Sequence, residues 1–224
     1  IYNGYWFWGR PSVVDLWHDL RAVTSEIRPD WDLSTPGLRE AWNAGDRPQV
    51  DDFIGGIVEL GAKLGPLVWQ FDRGQRIEHE DFTAFLALLP SQAGDRRLRH
   101  VLDVRNPEFV DADFLALARS HGMATVFTDS SEHPSFADLT ADFVYARLKL
   151  SRDDIATGYD DADLDRWAAR ARLWAAGGQP DDLPRIVATV DAPATHRDVF
   201  VYFIGSAKER NPAAAMALLR KLGD

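Results

Sequence analysis

The chain has 224 residues with 46% hydrophobic content, enough for one large domain, whereas a split into halves would leave each short of core. Its formal charge of −10, from 35 acidic against 25 basic residues, argues against a nucleic acid or an anionic membrane surface as the main partner. Cysteine is absent, which excludes disulfides, thiolate nucleophiles and thiolate metal sites. No apolar run approaches the ~20 residues of a membrane span and the start lacks a signal-peptide pattern, so the expected location is the cytoplasm.

The elements follow in order along the chain. Ile1 to Trp8 is dense in aromatics and predicts a strand, ended by Gly9-Arg10-Pro11-Ser12. Val13, Leu16, Trp17 and Leu20 recur at helical spacing behind Ser12, predicting a helix over Val13–Ala22. Glu26-Ile27-Arg28 is a weak strand signal, and the proline-rich stretch beyond it reads as an excursion with a short helix at Leu38–Trp42. Phe53, Ile54, Ile57, Val58, Leu60 and Leu64 predict one helix over Val50–Leu64, stopped by Gly65-Pro66 ahead of a buried-type strand, Leu67–Phe71. The alternation continues with a helix at Asp81–Leu89, a strand at His100–Arg105, a helix at Phe109–Ser120 and a strand at Met123–Thr128. After a turn-rich loop through Pro134 come a strand at Phe143–Leu148 and a helix at Leu164–Ala176, closed by Gly177-Gly178. Asp198–Ile204 is the most β-prone run of the chain, and Asn211–Leu222 is a closing helix with Pro212 in its first turn.

Seven strands mostly separated by helices indicate a parallel sheet with helical crossovers. The expectation is an α/β fold, a single TIM-barrel-like (β/α) barrel domain over residues 1–224. Eight strands and roughly 250 residues make such a barrel, so its first strand is expected upstream of Ile1, in keeping with a start that is not methionine. An open doubly wound sheet is the alternative.

Several segments resemble one family. Leu60-Gly61-Ala62-Lys63-Leu64-Gly65-Pro66 with Trp69-Gln70-Phe71, then Asp103-Val104-Arg105, Tyr145-Ala146-Arg147-Leu148, Gly158-Tyr159 with Leu164 and Trp167, and Asp198 to Phe203 with the Asn211-Pro212-Ala213-Ala214-Ala215 helix are similar, in order, to segments of the YecE-like family, domain of unknown function 72. By the same likeness Ile1 to Pro11 resembles the family's second strand, with Asn3 at its asparagine, and Arg28 to Thr35 resembles a "K-x-P-R" segment. The resemblance implies a TIM-barrel-like fold and has no counterpart here for the family's first strand. It also shows four departures: Tyr2 stands for an acidic residue, Arg28 for a lysine, Lys149-Leu150 for "H-G", and Ile204-Gly205 for paired asparagines.

Working groups in barrels of this type sit at the C-terminal ends of the strands. That rule selects Asp103 and Asp129 as candidate acid/base groups. Gln70, Arg105 and Arg147 are selected as substrate-binding groups, Arg147 because an inward arginine among apolar neighbours needs a partner, be it Asp103, Asp129 or a substrate anion. Asp103 and Arg105, two apart on a strand, face the same side, and a merely structural ion pair is the competing reading. Tyr5 could stack on a ring, although core packing is the more ordinary use. Asn3 and Arg28 enter through the resemblance. Tyr159, after Gly158 in a loop, is a lid, a hydrogen-bond donor or surface packing. The six histidines show no HxH, HxxxH or HExxH spacing and no metal is expected. No glycine-rich phosphate loop or GxSxG elbow occurs, so the cofactor is left unknown. Asp160-Asp161-Ala162-Asp163 most simply complements the dipole of the helix it precedes.

Two functions remain open at this stage: an enzyme acting on a small polar or anionic metabolite, and a non-catalytic binding or regulatory protein with a degenerate barrel site. Nucleic-acid processing is a third class that the charge does not suggest. Substrate, reaction, metal requirement and oligomeric state are not legible.

Overall fold

The computed structural model of the chain describes residues 48–73, 79–187, 195–205 and 207–223. The strands expected at Ile1 and Glu26, the helices expected at Val13–Ala22 and Leu38–Trp42, and with them Asn3, Tyr5 and Arg28, lie outside these residues. The described residues fall into two units, one with the helices of residues 48–63 and 79–88, the other with residues 65–73 and those from 94 onward.

In the first unit α1 (Pro48–Ile57) runs into a 3-10 segment, Val58–Lys63. The apolar spacing predicts a single helix to Leu64, but Gly61 adopts φ 53° and ψ −130°, a conformation that glycine takes without steric cost. The helical ladder ends there, and the Leu64 N–H closes back onto the Gly61 carbonyl at 3.1 Å. Val50, Ile54 and Ile57 form the buried stripe of α1. α2 (His79–Leu88) buries Phe82, Phe85 and Leu86 at i, i+3 and i+4.

The second unit is built on five parallel strands: β1 (Leu67–Phe71), β2 (His100–Val104), β3 (Ala124–Thr128), β4 (Phe143–Leu148) and β5 (Asp198–Phe203). Each pairs with the next in sequence. Register is regular, Leu67 to Phe71 lying opposite His100 to Val104, and Phe143 to Leu148 opposite Asp198 to Phe203. A doubly wound sheet reverses its strand order part-way, and the five described strands show no such reversal. The strands β2 and β3 are buried at every position, as parallel strands covered on both faces should be.

The crossovers are α3 (Ala112–Ser120) and α4 (Asp161–Ala175), with α5 (Asn211–Leu222) after β5. Helical spacing alone starts them at Phe109 and Leu164; the caps move both starts. The Asp111 carboxylate accepts the Phe114 N–H at 2.8 Å, and the Asp160 carboxylate accepts the Asp163 N–H at 2.7 Å, so each helix begins one residue after its aspartate. Gly177 (φ 90°) and Gly223 (φ 97°) end α4 and α5 in the left-handed conformation. Among the described residues no helix is long and apolar enough to cross a membrane.

Strand parity sorts the core into two faces. Phe127, Val144, Ala146 and Leu148 lie beneath Trp167, Ala168 and Trp174 of α4 and Ala214, Ala217 and Leu218 of α5. Phe127 meets the two tryptophan rings at 5.7 and 6.1 Å between centroids. The opposite face carries Val68, Val101, Ala124, Val126, Phe143 and Tyr145, with Phe200 and Tyr202 packed on them. Two residues further along each strand, this second face turns from apolar to polar: Gln70 after Val68, Asp103 after Val101, Thr128 after Val126, Arg147 after Tyr145.

Candidate functional site

The polar end of that face forms one hydrogen-bonded group. Gln70 lies opposite Asp103 in the β1–β2 register, and Thr128 opposite Arg147 in the β3–β4 register. Asp103, only 8% exposed, accepts a hydrogen bond from Arg147 Nη1 on Oδ2 and a second on the same oxygen from Arg105 Nη2 at 3.3 Å. Arg105 Nη2 also donates to Gln70 Oε1 at 2.6 Å, and Gln70 Nε2 donates to Asp72 Oδ1 at 3.0 Å. Of the partners open to Arg147, the structure selects Asp103. Gln70, Asp103, Arg105 and Arg147, the described members of the set expected from strand ends apart from Asp129, are thus brought together.

Several further charged groups meet here. Lys149, two residues past Arg147, has its amine pKa pushed below the ordinary lysine value by burial first and then by Arg105 and Arg147. His133 is held below the usual imidazole range by burial, and then by Lys149 and Arg105. Asp103 and Glu132 act in the opposite sense on both. Two guanidinia, an amine and an imidazole thus lie about Asp103, with Asp72, Asp129 and Glu132 as further carboxylates of the region. Three buried atoms of this region, Arg105 Nε, Thr128 Oγ1 and His133 Nδ1, have no hydrogen-bond partner among the described residues. Buried polar atoms are normally satisfied, and an orphan costs about 1–3 kcal/mol.

Asp129 and Tyr159 do something different. Asp129 Oδ1 accepts the Lys149 N–H at 2.5 Å and Oδ2 accepts the Tyr159 hydroxyl at 3.2 Å, while the same hydroxyl oxygen accepts the Leu150 N–H at 2.8 Å. Tyr159 is buried, with Phe203 edge-on at 5.3 Å. Its hydroxyl is engaged within the fold by Asp129. Burial raises the Asp129 pKa and, with the nearby Asp129 charge, that of the Tyr159 phenol. The pair fastens the backbone of the loop leaving β4.

Lys149 stands at the end of the same strand as Arg147 and is one of the strand-end residues the sequence points to, but without an assigned role; His133 is not among them. Lys149 had a signal, since it is two residues beyond Arg147 on the same side of the strand extension; His133 is in a loop, where no periodicity operates. Among the described residues, no three His, Cys, Asp or Glu side chains are placed to share a metal ion. A separate crevice is lined by Phe127, Phe136, Phe143 and Trp174 together with Asp138. Asp138 is committed to the Ile186 and Val187 N–H groups at 2.8 and 3.1 Å.

The family model described as "protein of unknown function DUF72" matches residues 21–224. The chain belongs to the DUF72 family. A crystal structure of a DUF72 family protein from Thermotoga maritima superimposes with a TM-score of 0.58 at 14% identity, covering 98% of this chain and 83% of the other. At that identity the likeness concerns the fold. A comparison with curated proteins finds no match. The YecE-like resemblance read from the motifs agrees with the family model, and the family's description names no reaction.

Proposed function

We propose that this DUF72 member is an enzyme acting on a small anionic metabolite, and that its five described strands belong to a closed (β/α) barrel with the substrate at their C-terminal ends. The sequential strand order supports the barrel, since β1 and β5 each have one neighbour among the described residues and bare parallel edges are rarely left open. The observation that carries the site is the convergence of Arg105 and Arg147 on Asp103, with Lys149 beside them and Arg105 Nε buried and unpaired among the described residues. A phosphate or carboxylate entering there takes up the guanidinium hydrogen bonds bidentately. Competing for Arg105 and Arg147, it leaves Asp103 with fewer partners and free to accept or deliver a proton. Asp129 and Tyr159 hold the Lys149–Leu150 backbone in place for this.

Calorimetric titration with phosphate and with citrate tests the reading. The wild-type chain binds at least one of them, and Arg147→Met loses that binding while keeping its far-ultraviolet circular dichroism. Undiminished affinity in the variant contradicts it.

A further inference from the structure

The chain contains four lysines, Lys63, Lys149, Lys208 and Lys221, its other basic residues being arginine. For holding an anion, arginine has the better geometry; what lysine adds is an amine that loses its proton and attacks carbonyl carbon. A lone lysine beside two arginines at a strand end therefore calls for a reason beyond charge.

The surroundings of Lys149 supply one. Its own N–H is held by Asp129 and the next N–H by the Tyr159 hydroxyl. Gly205 packs against the same stretch so closely that a Cβ there would lie 2.7 Å from the Lys149 carbonyl oxygen and 3.0 Å from the Ser151 nitrogen. The main chain is thereby fixed. The amine, in contrast, has no carboxylate within ion-pair distance among the described residues, because Asp103 is taken by Arg147 and Arg105. Lys221 shows the ordinary surface alternative, bound to Asp161 at 2.8 Å and Asp165 at 2.7 Å.

We propose that Lys149 is a Schiff-base nucleophile for a small carbonyl compound whose anionic group is held by Arg105 and Arg147. The inference rests on the anion site proposed above. The neutral Nζ adds its lone pair to the carbonyl carbon, and the π pair of the C=O bond moves to oxygen. That oxygen gains one proton from the nitrogen and one from solvent and departs as water, leaving a protonated imine whose positive charge replaces that of the ammonium. Burial and the guanidinia of Arg105 and Arg147 favour the neutral amine that starts the step, Asp103 and Glu132 oppose it, and His133 is the remaining titratable neighbour.

Borohydride trapping provides the test. The full chain is incubated with pyruvate in one arm and dihydroxyacetone phosphate in the other, reduced with borohydride, and examined by intact mass and peptide mapping, with calorimetry on the same two compounds. The expected result is a single reduced adduct on Lys149 in the arm whose anion fits, lost in Lys149→Arg although that variant still binds the anion. Binding without an adduct, labelling spread over Lys63, Lys208 and Lys221, or an adduct retained in Lys149→Arg overturns the nucleophile and leaves the anion site standing. Absence of binding and of labelling in both arms overturns both.

Discussion

Asp103 balances more positive charge than any other carboxylate of the described site, and its removal is the most informative single change. In Asp103→Asn the partly buried Arg147 and Arg105 lose their shared anion, and breaking a buried pair from one side costs about 3–5 kcal/mol. Urea unfolding is expected to show that loss, with phosphate at a hundredfold excess over its Kd returning about 2.7 kcal/mol. A loss under ~1 kcal/mol, the range of exposed pairs, would mean the group is solvated. Lys149 gives the opposite sign. Its folded pKa lies below its unfolded value of about 10.4, so its charge disfavours the native state at pH 7, and the penalty fades as pH rises through the folded pKa toward the unfolded one. Lys149→Met is therefore expected to melt higher than wild type at pH 7, with the difference shrinking toward pH ~10; a lower melting temperature at pH 7 contradicts this. Residues of this kind were legible where strand parity governs them: Gln70, Asp103, Arg105 and Arg147 share a face because they sit at even spacings from buried apolar residues. Asp129 was selected by position as well, but its carboxylate turns to the Lys149 N–H, a choice between side-chain and backbone partners that no spacing encodes.

Elements in this chain are delimited by single side chains. The Asp160 cap starts α4 three residues before its first buried position, Leu164, and Asp160→Ala is expected to cost about 1 kcal/mol in thermal or urea unfolding. Gly205 matters for a different reason, since an added methyl would sit 2.0 Å from Ser151 Oγ as well as against the Lys149 and Ser151 main chain. Gly205→Ala is expected to lose about 1–3 kcal/mol as the loop after β4 is pushed outward, and to weaken phosphate binding because Lys149 moves with it. Normal stability with normal binding would show that the loop has slack. Helix existence was legible from the recurrence of Leu164, Trp167, Ala168, Ala171 and Trp174. The break at Gly61 was not, because an apolar period runs through it unchanged and only the positive φ interrupts the helix.

For the whole molecule, the decisive feature is a parallel sheet whose strands pair in chain order from β1 to β5. Strands and helices alternate visibly in the sequence, and that alternation predicts parallel pairing through short crossovers. Strand order is set by which edge each crossover returns to, a non-local packing outcome that the alternation alone does not encode. The order matters for function because it lines up the ends of consecutive strands along one rim, where Gln70, Asp103, Thr128 and Arg147 follow one another. On this account the rim is an anion-binding mouth. Its most direct test is a crystal structure of the chain soaked in phosphate: density bonded to Arg105 and Arg147 within reach of Lys149 is the predicted result, and an unchanged Arg105–Asp103–Arg147 cluster with phosphate bound elsewhere would contradict it.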